Sequence, residues 1–124
     1  MDGMRVIVPV HFHGTMAADG SFRWKVPAAL TLVHVSAVAS NAASTQIKLG
    51  TTVDDDGYLT AAAVGQSGAP AVFDRGDFNG ALNPDTAECP HLDAGTVLLL
   101  TVDFDGAAGT AGQNVSVVVT LLEG

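Results

Sequence analysis

Apolar and polar residues alternate along most of this chain with a period of two, the pattern of strands that bury one face and expose the other. In "RVIVPVHFH" the set Val6, Val8, Val10 and Phe12 falls on one face, and Arg5, Ile7, Pro9, His11 and His13 on the other. The first set is expected to face the core. Pro9 has no backbone donor, which suits an edge strand or a bulge. "SFRWKV" alternates again, with Phe22, Trp24 and Val26 inward, and a long strand is expected over residues 29–39, followed by one that aligns Thr45, Ile47 and Leu49. Residues 54–57, "DDDG", read as a turn. Residues 56–64 read either as a strand or as one short helical turn, with the turn preferred.

The rest of the chain continues the β pattern. "APAVFD" is a short strand, "RGDFNGALNPDTAECPHLDAG" a long connection, and "TVLLLTVDFDG" and "QNVSVVVTLLE" two further strands. Leu98, Leu100, Val102 and Phe104 share one face, as do Val115, Val117, Val119 and Leu121. Joined by a loop of small residues, these two strands read as an antiparallel hairpin. Seven or eight strands with loops of varied length point to an all-β, antiparallel two-sheet β-sandwich of jelly-roll type, a single domain over residues 1–124.

Composition sharpens this picture. Of 124 residues, 48% are hydrophobic, 15% charged and only 6% aromatic, so the core is built from small side chains and some apolar surface is left for a partner. The apolar runs reach about ten residues, short of the roughly 20 that a membrane helix requires. The N-terminal segment lacks the pattern of a secretory leader, and an intracellular origin is expected. The lone Cys89 has no internal disulfide partner. Thirteen acidic against five basic residues give a net charge of −8, with the cations scattered, which argues against nucleic acid and against anionic membranes as partners.

The candidate chemistry is sparse. His11 and His13 share a strand face, as in the first step of a cupin metal site, but a cupin needs a carboxylate soon afterwards and the first acid is Asp19. A surface or subunit-interface role is expected instead, with Arg5, Pro9, His11 and His13 as the interaction surface and assembly weakened where paired imidazoles become charged. Neither His34 nor His91 is placed by spacing as a third ligand. Asp54, Asp55 and Asp56 offer clustered oxygens, yet Ala63 stands where an EF-hand needs its glutamate, and a solvated turn is expected with calcium as the minor alternative. Ser67 in "GQSG" lacks the nucleophile-elbow pattern, and nothing in the sequence orients Cys89 toward His91. "RGD" at 75–77 and the sequon at Asn114 carry no supporting context. No catalytic residue, metal or cofactor is assigned.

Residues 49–82, "LGTTVDDDGYLTAAAVGQSGAPAVFDRGDFNGAL", followed by "PHLDAGTVLLLTVDFDGAAGTAGQNVSVVVTLLEG", resemble in layout the small β-sandwich proteins encoded among the head genes of tailed bacteriophages. The resemblance implies a non-enzymatic virion protein, made in the host cytoplasm. It further implies a capsid decoration or cementing protein that binds the major capsid protein lattice at symmetry axes, as a homotrimer. The alternative is a carbohydrate-binding sandwich, calcium-dependent or not. Such modules display exposed aromatic side chains, and here the single Trp24 falls in the inward register.

Overall fold

A computed structural model describes residues 5–78, 89–104 and 109–123. Nine strands are present among them: β1 (Arg5–Thr15), β2 (Gly20–Lys25), β3 (Leu30–Val38), β4 (Gln46–Gly50), β5 (Leu59–Ala63), β6 (Ala71–Phe73), β7 (His91–Leu92), β8 (Val97–Asp103) and β9 (Gln113–Glu123). They form an antiparallel two-sheet β-sandwich, as the alternation predicts. One sheet has the order β1-β9-β3-β6, with β7 also paired to β3, and the other β2-β8-β4-β5. The short β6 and β7 lie along the same edge of β3, facing Val35–Ala37 and Leu30–Thr31 respectively. Taken as one interrupted strand, they leave two four-stranded sheets between which the chain passes at every connection except β4–β5, the order expected of a jelly roll.

Two local expectations fail. Residues 59–63 are the strand β5 and no helical turn forms there, because Gln46, Ile47 and Leu49 of β4 pair with Ala63, Ala62 and Leu59. Strands β8 and β9 are not a hairpin. The first pairs with β2 and β4, the second with β1 and β3, so they lie in opposite sheets. The faces assigned from sequence are correct for both. Leu98, Leu100 and Val102 are buried from one side of the core, and Val115, Val117, Val119 and Leu121 from the other. Part of the long connection expected before β7, residues 79–88, and part of the loop between β8 and β9, residues 105–108, lie outside the described residues.

The core follows from the alternation. Leu30, Leu32, Val35, Ile47, Leu49, Leu92 and Leu100 are buried together, and Val6, Val8, Val10, Phe12, Phe22 and Trp24 pack against them from the flanking strands. Among the described residues Thr45 is the buried polar side chain, and its hydroxyl donates to the carbonyl of Phe104, 3.2 Å away. At one end of the sandwich Asn41 ties three loops together. Its amide donates to the carbonyl of Ala111, its side-chain oxygen accepts from the amide of Gln113, and its backbone carbonyl accepts from Ser67. At the other end the loop after β4 folds back over Gly50, where a Cβ would strike the backbone of Asp54 and Asp55.

This packing sets a stability prediction. Leu32→Ala, at a fully buried position, should cost about 2–5 kcal/mol in urea denaturation. Val53→Ala, at a position 92% exposed, should change stability by less than about 0.5 kcal/mol.

Candidate interaction surface

Strand β1 is the edge of its sheet, and its outward residues Arg5, Ile7, Pro9, His11 and His13 are all exposed. Register carries this face inward across the sheet. Arg5, Ile7, Pro9 and His11 stand beside Leu122, Thr120, Val118 and Ser116 of β9. Those in turn stand beside Thr31, His34, Ser36 and Val38 of β3. Beyond β3, Val72 faces Ser36 and His91 faces Thr31. The surface is therefore mixed, with Ile7 56% and Val72 50% exposed, where a strand face turned only to water would be polar.

A bulge in β3 shapes the middle of this face. The register with β9 slips between Leu32 and His34, so the buried set changes phase from Leu30 and Leu32 to Val35 and Ala37. Val33 and His34 both become half-buried as a result. With Arg5, Ile7, Thr120 and Leu122 they line a groove of about 310 Å³. Arg5, Pro9, His11 and His13 lie on the exposed face, as the alternation predicts, whereas the groove beside them does not follow from it. The signal was present as the phase break in "LTLVHVSAVA".

The electrostatics of the face differ from those of the chain. All four histidines and Arg5 lie on it, and none of its outward strand positions among the described residues carries a carboxylate. The acids among the described residues lie elsewhere: Asp19, Asp54, Asp55, Asp56, Asp74, Asp77 and Asp93 in loops, and Asp103 and Glu123 at strand ends. Asp93 approaches the rim, with a carboxylate oxygen 3.4 Å from Nε2 of His91. At the opposite end of β1, Nδ1 of His11 lies 2.7 Å from the hydroxyl of Ser116.

The other sequence candidates are separate from this face. Asp54, Asp55 and Asp56 lie in the loop between β4 and β5, with carboxylate oxygens within 4.8 Å of one another. The turn expected there forms, with the amide of Gly57 donating to the carbonyl of Asp54. Lys48 pairs with Asp55 at 2.9 Å, and that bond raises the lysine's pKa. A hydrogen bond with the Asp56 carboxyl raises the pKa of Asp54. The cluster thus already has a cation of its own, and it holds a proton between two acids more readily than isolated aspartates would.

Ser67 occupies a tight turn with φ of 53° and donates its amide to Asn41. Asp77 closes a turn on Asp74, accepting from its amide at 3.0 Å, which accounts for the Arg75–Asp77 tripeptide as loop structure. Asn114 bridges strands, its side-chain oxygen accepting from Gly14 and its amide donating to the Ser40 hydroxyl. Cys89 is half-buried just before β7. Tyr58 is 4% exposed, and no Phe, Tyr or Trp is exposed among the described residues. No helix among the described residues is long and apolar enough to cross a membrane.

No family model and no curated protein matches the chain. Among solved structures, the fold is similar to that of a chain from the cyanophage Pam1 capsid asymmetric unit, with a TM-score of 0.55 over 99% of this chain and 86% of that one. Sequence identity is 18%, so the likeness is one of fold.

The aspartate cluster yields a prediction with a definite sign. A carboxyl whose folded-state pKa is raised adds stability at low pH, and that stability is lost as pH rises through the folded value. Asp54→Asn, which removes the repulsion but keeps a donor toward Asp56, should raise the urea midpoint at pH 7 and leave no gain at pH 3. A gain of equal size at both pH values would show that the charge interaction is absent.

Proposed function

We propose that this chain is a structural protein of a phage virion, a capsid decoration or cementing protein that binds the major capsid protein lattice. The observation that carries the reading is the fold likeness to a chain of a phage capsid asymmetric unit across 99% of the sequence. The layout shared with small head-encoded sandwich proteins supports it, and so does the character of the β1 sheet's outer face. That face is half apolar and, among the described residues, carries no carboxylate at its outward strand positions, in a chain of net charge −8. A lattice contact there would bury Ile7, Pro9, Val118 and Val72 without burying an unpaired acid.

In this reading the protein acts mechanically, each copy bridging neighbouring capsid subunits and adding contact area against internal pressure. A homotrimer on a symmetry axis would supply several such contacts at once, and avidity would make weak single contacts sufficient. The carbohydrate-binding alternative gains no support from the described residues, because Trp24 packs against the core and Tyr58 is buried.

The test is to mix the purified protein with heads of the virus that encodes it, prepared without it, and to pellet them. The wild type should co-sediment in stoichiometric amounts, and Ile7→Glu, which places a charge at an exposed apolar position of the face, should weaken binding at least tenfold, on the order of a contact hot spot. Failure of the wild type to bind any head preparation overturns the reading. Light scattering on the free protein reports separately on the trimer.

A further inference from the structure

His11 and His13 form a feature of β1 that the contact face does not require. Residues two apart on a strand project from one side about 6.6–6.8 Å apart. Here the ring centroids are 6.2 Å apart with the planes tilted by 53°. Both side chains are exposed, so their rings turn without disturbing the core. Nδ1 of His11 is engaged by the Ser116 hydroxyl at 2.7 Å, from the residue directly opposite on β9. In the tautomer whose Nδ1–H donates to that hydroxyl, Nε2 presents its lone pair outward, the state in which histidines bind metals.

We propose that His11 and His13 chelate one divalent cation of the imidazole-preferring class, Zn²⁺, Ni²⁺ or Cu²⁺, with the Ser116 hydroxyl as the outer partner that accepts from Nδ1–H of His11 when the ion is bound. Metal–nitrogen bonds of about 2.0–2.1 Å bring two ligand nitrogens within roughly 3.3 Å of each other in a tetrahedral site. Rotation of the exposed His13 ring toward His11 closes that gap. The site differs from the cupin centre weighed from the sequence, which needs a third histidine and a carboxylate. His34 faces Thr120, whereas His11 faces Ser116, two residue pairs further along β9. Two coordination positions are left open to solvent, for water or for a ligand from a neighbouring chain. The excess negative charge of the chain draws cations toward such a site. The chelate rests on these three residues alone and is independent of the virion reading.

Calorimetric titration of the full chain with Zn²⁺ at pH 7.5, in a buffer that does not bind metals, tests the assignment. One ion per chain is expected, with binding much weaker in each of His11→Ala and His13→Ala and lost in the double variant that carries both substitutions. Ser116→Ala should bind about tenfold more weakly, the usual effect of losing an outer-shell partner. His34→Ala and His91→Ala should match the wild type. With Cu²⁺ as the probe, electron paramagnetic resonance should report two coordinating nitrogens in the wild type and one in each single variant. Absence of saturable binding overturns the proposal, as does binding that survives the double variant, which would place the ion at Asp54–Asp56 or elsewhere. Unchanged affinity in Ser116→Ala would remove Ser116 from the site.

Discussion

The sandwich depends on β9, which occupies the interior of its sheet with β1 along one side and β3 along the other. Its inward residues Val115, Val117, Val119 and Leu121 are all at most 2% exposed, and they form one wall of the core. Its outward residues Ser116, Val118, Thr120 and Leu122 join the exposed row of β1 to the outer row of β3. One strand therefore fixes both the core and the candidate contact face. Because β1 and β9 lie at opposite ends of the sequence, their pairing is among the most distant in the fold, and its loop-closure cost must be met before the sheet can close.

Much of this was legible in the residues. Period-two alternation identified most strands and their inward faces, and it placed Arg5, Pro9, His11 and His13 outside. What it could not supply was partnership. Strands β8 and β9 carry matched apolar rows because both face the same core, from opposite sides, and a local pattern does not distinguish that from pairing in one sheet. Residues 59–63 were ambiguous for a different reason. Thr60, Ala61 and Ala63 are exposed and three of the five residues are alanine, so no strong alternation marks the strand. Pairing with β4 decided its conformation, which is tertiary context overriding weak local preference.

The groove was lost to a third cause, the bulge at Val33 and His34. Alternation assumes an unbroken register, and one inserted residue moves every later side chain to the other face. The buried set Leu30 and Leu32 gives way to Val35, Ala37 and Ala39, so His34 comes to the outer side beside Ile7 and Leu122. The aspartate cluster, by contrast, was placed correctly as a turn, but its pairing with Lys48 depends on the loop folding back over Gly50. A glycine there is read in retrospect as the space that loop needs.

The distribution of charge and backbone donors narrows how the protein can associate. An eleven-residue edge strand such as β1 invites pairing with another chain through its free backbone groups. Pro9 removes a donor at the middle of that strand, Arg5 places a charge near its start, and Gly14 bends its end with φ of 75°. These features interrupt edge-to-edge extension. The outer face has no such protection: none of its outward strand positions among the described residues is an acid, apolar and polar side chains mix across it, and apart from Arg5 its polar groups are imidazoles and hydroxyls that can both give and accept hydrogen bonds. These groups suit the face, rather than the edge, to the association proposed above. A face contact engages side chains, whereas an edge contact would add strands to the sheet through backbone hydrogen bonds.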